Sequence, residues 1–177
     1  TLEQTERWRK VASLSSAALH VDTGITRLGL SGSDAQTLAA SEANPQFRLV
    51  MSHLACSNEP GQPKNAEQLE RFKAALSLFP GSKASLANSS GLFLPPDFHF
   101  DIGRPGCALY GINPVLGENP MRHVATLSSP FLQVRTLDRD ETVGYGATQT
   151  ARKGSRIALC ALGYADGVLR CISNKGF

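Results

Sequence analysis

"FRLVMSHLACSNEPGQPKNAEQLERFKAALSLFPGSKASLANSSG" spans residues 47–91. It opens with a strand-like run, Phe47 to Leu54. From Asn65 to Phe79 the period changes: Leu69, Phe72, Ala75, Leu76 and Phe79 recur on one face of a helix, and Pro80-Gly81 ends it. Lys83 to Ala87 is a second short strand, closed by Asn88-Ser89-Ser90-Gly91. Strand, helix and strand in that order read as a parallel β/α unit.

The pattern continues on both sides. Leu2, Trp8, Val11, Ala12 and Leu14 suit an amphipathic helix over Thr1 to about Ala18. Ala18 to Val21 reads as a strand ended by Asp22-Thr23-Gly24. Ser33 to Ala43 reads as a helix, with Ser33 or Asp34 as its N-cap. Asp101 to Cys107 is a further expected strand. In parallel β/α folds, ligand groups lie just past the carboxyl ends of strands. Asp22, Arg27, His53, Asn88, Ser89 and Arg104 all fall at such places.

After about Pro114 the texture changes. Pro120, Ser128-Ser129-Pro130 and Gly154 punctuate short runs such as "FLQVRTL" and "RIALCALGY", and Phe131 to Arg135 alternates like a half-buried strand. The expected division is an α/β domain over residues 1–115 and a mostly β domain over 116–177.

Composition narrows the function. The 177 residues are 41% hydrophobic, enough for a packed core, and the net charge of +3 comes without a basic run, which argues against nucleic acid. Cys56, Cys107, Cys160 and Cys171 are widely spaced and form no C-x-x-C pair, so neither a metal site nor a disulfide framework is expected. No stretch reaches the length of a membrane span and no signal peptide opens the chain, so a cytoplasmic protein with reduced thiols is expected. The first residue is not Met, which reads as a fragment or a processed product.

"FDIGRPGCALYG", Phe100 to Gly111, places a permanently charged Arg104 where an apolar strand breaks at Pro105-Gly106. A guanidinium near a core needs a planar acceptor or an anion. A structural ion pair would satisfy it; so would a ligand. The stretch is one of an ordered series: "HVDTGITRLG", "SHLA", "LANSSG", "DIGRPGCALYG", "VGYGATQTA" and "LGYADG". Together they closely resemble the bacterial alanine racemase family, from about Leu19 to Gly167.

The resemblance implies the later part of a (β/α)8 TIM-type barrel that binds pyridoxal phosphate, then the start of a C-terminal β domain. It implies a homodimer in which the barrel of one subunit meets the β domain of the other, interconverting L- and D-alanine for peptidoglycan. Arg104 matches the arginine facing the cofactor's pyridine nitrogen. Gly106 and Cys107 match backbone positions at the phosphate, and Ser89 a phosphate-binding hydroxyl. His53 matches a histidine near the ring, and Arg27 an arginine that orients the substrate side. Tyr145 matches a catalytic base, placed beside the α-proton of the L-enantiomer. Tyr164 resembles the gate of the substrate channel, with Arg170 and Asn58 near that entry. Taken singly, each also suits a structural role: a turn for Asn88 to Gly91, a packed ring for Tyr145, a solvated surface for Arg27.

Two departures stand out. The family's other base is a lysine that forms a Schiff base with the cofactor, in a K-x-x-A-Y-G-type motif. Lys10, Lys64, Lys73, Lys83, Lys153 and Lys175 all lie outside any such motif. The chain is therefore read as an internal fragment, inactive by itself, that lacks that region and the C-terminal end. His20 stands where many members carry a carbamylated lysine, a modification imidazole cannot make. Three other readings stay open: a decarboxylase on the same barrel, against which Arg104 argues; a cofactor-binding barrel without racemase activity; and an inactive remnant.

Overall fold

The computed structural model describes residues 1–41 and 46–172. Ala43, the expected end of one helix, and Lys175 lie outside the described residues. The chain forms two compact units, Thr1–Ala125 and Thr126 onward.

The first unit opens with α1 (Leu2–Arg9). Thr1 Oγ1 accepts from Gln4 N at 3.2 Å while Gln4 Oε1 accepts from the Thr1 amine at 2.7 Å, a reciprocal cap. The helix expected to run to about Ala18 stops at Arg9. Trp8 Nε1 donates to Ser13 O at 3.0 Å, and Ser13 Oγ caps a separate 3₁₀ turn at Leu14–Ser16. A serine-rich stretch offers the backbone local partners that compete with a helix.

Three short strands follow: β1 (Ala18–His20), β2 (Leu49–Met51) and β3 (Lys83–Ser85). They pair in parallel in that order, with Leu19, Val50 and Ala84 in register and all buried. Between them run α2 (Gly32–Ala40) and α3 (Pro63–Ser77). Ser31 caps α2 by accepting from Asp34 N at 3.0 Å, so the cap falls before the expected Ser33 or Asp34. Pro63 opens α3, where a missing N–H costs no helical bond. Leu69, Phe72 and Ala75 of α3 join Phe79, Phe47 and the strand residues in one core. The rings of Phe47 and Phe79 meet edge to face at 5.5 Å, as Phe72 and Phe100 do at 5.0 Å.

The expected strand at Asp101 to Cys107 does not form. The segment follows β3, with Asp101 N and Ile102 N donating to Ala84 O and Arg104 N donating to Ala87 O at 2.9 Å. The Asp101 carboxylate accepts from Ala84 N at 2.7 Å, taking the donor that a ladder partner's carbonyl would use. A 3₁₀ turn at Cys107–Tyr110 follows.

In the second unit, β4 (Phe131–Thr136) pairs antiparallel with β7 (Arg156–Cys160), and β5 (Glu141–Val143) with β6 (Gln149–Ala151). The strand expected at Phe131 is present, but it is exposed along its whole length rather than half-buried. Two two-stranded ladders present too little surface to cover an apolar face. Leu137 is the one buried residue of this unit among the described residues. No helix among the described residues is long and apolar enough to cross a membrane.

Candidate active site

The site candidates of the first unit gather past the carboxyl ends of β1, β2 and β3. After β1, Asp22 folds its own loop: Oδ1 accepts from Gly24, Ile25 and Thr26 N, and Oδ2 accepts from Arg27 N at 3.0 Å. Burial alone would raise the Asp22 pKa, but these four N–H bonds outweigh it and hold the carboxyl below its usual range. The loop presents Arg27 at the surface. It returns through Leu30, whose N–H donates to His20 O at 2.8 Å. Gly29 permits that return: its φ is +125°, and a Cβ there would stand 2.7 Å from Asp22 N.

After β2 come Ser52 and His53. Asn88, after β3, fixes the His53 tautomer. Its Oδ1 accepts from Ser57 Oγ at 2.8 Å and from Gly91 N at 2.9 Å, so its Nδ2 is the donor at 3.4 Å from His53 Nε2. Nε2 is then the acceptor and the ring proton sits on Nδ1. Burial first, then the charges of Arg27, Arg104 and His20, lower the His53 pKa. Burial first, then Arg104, lowers that of His20 against the opposing pull of Asp22. His20 Nε2 is buried with no hydrogen-bond partner.

Arg104 is half-buried. Nη1 donates to Ser85 Oγ and Nη2 donates to Ser52 O. Among the described residues no carboxylate pairs with it, and burial lowers its pKa. An ion pair is therefore not what satisfies this guanidinium. Hydroxyl and carbonyl acceptors aim it while leaving its charge uncompensated and other N–H groups available. Beside it, Ser89 Oγ accepts from Gly106 N at 2.7 Å and Ala108 N at 3.4 Å. A Cβ on Gly106 would stand 3.8 Å from that hydroxyl, in the space beside the cradle. Convergent cations, an unpartnered imidazole nitrogen and a hydroxyl–amide cradle suit a planar ligand with an anionic group.

Arg27, His53, Ser89, Arg104 and Gly106 thus belong to one end of this sheet. Cys107 opens the exposed 3₁₀ turn after Gly106. Asn58 lies on the loop after β2, its carbonyl accepting from Leu116 N at 3.4 Å. Tyr145, Tyr164 and Arg170 belong to the second unit. Tyr145 is 93% exposed on a turn that starts at Gly144, where φ is +74°. Tyr164 is exposed on a turn held by Gly163 N donating to Asp166 Oδ2 at 2.9 Å, and exposed Arg170 opens the turn Arg170–Ile172. No group of His, Cys, Asp and Glu among the described residues could hold a metal.

Sequence reasoning missed the polar groups beneath the site: Thr23, Ser52, Gln68 and Ser85, all buried. Gln68 could have been found as the amide one position before Leu69 on the apolar face of α3; the hydroxyls carry no such signal.

The family model for the alanine racemase N-terminal domain matches residues 1–114, and that for the C-terminal domain matches residues 124–177. The alanine racemase of Rhodospirillum rubrum is 50% identical over 182 residues, covering 98% of this chain and 48% of that protein. That of Rhizobium meliloti is 51% identical over 162 residues, covering 89% and 43%. The chain spans about half the length of the curated relatives it matches. Among solved structures, the biosynthetic alanine racemase of Pseudomonas aeruginosa matches with a TM-score of 0.79 at 32% identity, over 95% of this chain and 49% of that one. The Bartonella henselae alanine racemase with covalently bound pyridoxal phosphate matches with a TM-score of 0.75 at 35% identity, over 97% and 49%. The architecture is the later part of a (β/α)8 barrel followed by the start of a β domain. From its strand-end site to its second unit, the chain belongs to the alanine racemase family.

Proposed function

We propose that the whole protein interconverts L- and D-alanine with pyridoxal phosphate, supplying D-alanine for peptidoglycan. One observation carries the reading: Arg104, with no carboxylate partner among the described residues, is aimed by Ser85 and Ser52 beside the Ser89–Gly106 cradle. Arg104 would donate to the ring nitrogen without giving up a proton, and its charge would disfavour protonation there. The Ser89 O–H and the Cys107 N–H would hold the phosphate beside Gly106, while the Gly106 and Ala108 N–H groups hold the Ser89 oxygen. Bound there, the cofactor supplies an electron-withdrawing ring that acidifies the substrate α-carbon.

The remaining roles belong to side chains. Arg27 orients the substrate side, and neutral His53 accepts at Nε2 near the ring. Tyr145 Oη takes or returns the α-proton on one face, and a lysine outside residues 1–177 serves the other. A phenolate needs nearby positive charge, and Arg27 and Arg104 of a partner subunit's barrel would supply it. The exposure of Tyr145 supports its presentation to another subunit in a cytoplasmic homodimer. Tyr164, Arg170 and Asn58 line the entry in this reading. Residues 1–177 alone, without a lysine in a K-x-x-A-Y-G-type motif, would be inactive.

The test is direct. Full-length protein loaded with pyridoxal phosphate should convert L-alanine to D-alanine, followed by chiral chromatography. Bound cofactor with no D-alanine formed would leave a cofactor-binding barrel and overturn the racemase reading.

A further inference from the structure

We propose that Thr23 and Gln68 are positioning residues for Arg104, fixing through a buried polar bridge the carbonyl on which its guanidinium rests. Gln68 is fully buried on α3, on the inner face it shares with Asn65, Leu69, Phe72 and Ala75. Its carboxamide is used at both ends. Oε1 accepts from Ala55 N at 2.8 Å, and Nε2 donates to His53 O at 2.9 Å and to Thr23 Oγ1 at 3.2 Å. The amide thereby ties the turn after β2 to the turn after β1. Thr23 Oγ1 stands 2.7 Å from Ser52 Oγ, and both side chains are buried. Ser52 N donates to Ser85 O at 3.1 Å, and Ser52 O accepts from Arg104 Nη2. Ser85 Oγ accepts from Nη1 and donates to Ile102 O at 2.5 Å.

The chain of contacts runs Gln68, Thr23, Ser52, Arg104, with Ser85 closing the other side of the fork. Each link joins a different strand end, so the bridge sets the spacing of three strands where the guanidinium sits. A plain packing role is a poor account of it. An apolar side chain of the same volume would fill the same space, whereas a buried carboxamide must be fully hydrogen-bonded to be tolerated. Here its bonds go to the backbone of His53 and Ala55 and to the hydroxyl that reaches Ser52. The consequence for turnover rests on the racemase reading; the consequence for Arg104 does not.

The experiment compares four variants of the full-length protein: Thr23→Val, Thr23→Ser, Gln68→Met, and Leu38→Ala as a core control away from the bridge. Thr23→Val keeps the volume and loses the hydroxyl, while Thr23→Ser keeps the hydroxyl and loses a methyl. A packing role therefore ranks the two in one order and a positioning role in the opposite order. Crystal structures of Thr23→Val and Gln68→Met should show the Arg104 guanidinium displaced by about 0.5 Å or more, the tolerance of a positioned group. In both variants kcat should fall roughly 10- to 100-fold with KM within about threefold. Thr23→Ser should match wild type in both readouts, and Leu38→Ala should lower Tm while sparing both. Thr23→Ser impaired as much as Thr23→Val, or an unmoved guanidinium in Thr23→Val, would overturn the proposal. If wild type converts no alanine, the racemase reading fails, and the guanidinium position still decides the role of the bridge.

Discussion

Arg104 and Ser85 meet at one hydroxyl: the guanidinium donates to Ser85 Oγ, whose own O–H donates to Ile102 O at 2.5 Å. Ser52 O accepts from the other arm of the fork. Lysine could not reproduce this. Its single ammonium cannot reach Ser85 Oγ and Ser52 O in the same plane and still face a ring. Arg104→Lys in the full-length protein should weaken pyridoxal phosphate binding about tenfold, the size of one lost hydrogen bond of this kind. An absorbance titration measures it, and unchanged affinity with an unchanged bound spectrum would remove Arg104 from the ligand.

Ser89 is the matching prediction at the cradle. Its hydroxyl accepts from Gly106 N and Ala108 N. Ser89→Ala leaves the two amides without that partner and takes one donor from the phosphate. Binding of pyridoxal phosphate should fall about tenfold or more. Pyridoxal, which lacks the phosphate, should bind equally to wild type and variant. Equal losses for both ligands would place Ser89 away from the phosphate.

Stability should fall with acidification in two separate windows. The pKa values of His20 and His53 are lowered in the folded state from 6.5, so the unfolded chain binds more protons just below that pH. Their contribution is complete above pH 6.5 and is lost as pH falls through the folded values. The Asp22 pKa is lowered from 3.8, so its contribution persists to lower pH and is lost below that value. Tm measured against pH should drop below 6.5, and less steeply in His20→Gln and His53→Gln. An unchanged slope in both variants would contradict the burial of these rings.

Gly29 and Gly32 make a paired prediction on the loop after β1. Gly29 has φ of +125° and a Cβ there would meet Asp22 N at 2.7 Å; at Gly32 a Cβ would meet nothing within 4 Å. Gly29→Ala should therefore destabilise by about 2 kcal/mol or more, through strain and displacement of the Asp22 loop. Gly32→Ala, at the first position of α2, should be neutral or stabilising by up to about 1 kcal/mol. Chemical denaturation compares them, and equal stability would remove the steric argument.

The sequence made the parallel β/α order legible because α3 carries a clean helical period between two apolar runs. It also exposed Arg104, since a charge at the end of an apolar strand demands an acceptor. Asp101 hid the break of the expected strand at Asp101 to Cys107: only the fold shows its carboxylate occupying Ala84 N. The Thr23–Ser52–Gln68 bridge was illegible for a similar reason. Its members lie 29 and 45 residues apart, and short hydroxyl residues leave no periodic mark. Alternation along Phe131 to Arg135 correctly gave a strand, but burial depends on what covers the face, which alternation does not encode.

In the proposed racemase, Tyr145 Oη serves one face of the substrate α-carbon. Tyr145→Phe keeps the ring and removes the titrating hydroxyl, and at 93% exposure in its unit the change leaves packing there untouched. The most direct measurement is exchange of the α-proton with deuterated solvent, followed by NMR on full-length protein with L-alanine and D-alanine separately. General acid–base groups contribute about 10²- to 10⁴-fold, so exchange from L-alanine should fall by that order, and further than exchange from D-alanine, with the cofactor still bound. Equal losses for the two enantiomers would contradict the one-face assignment, and wild-type exchange from L-alanine would exclude Tyr145 as the base.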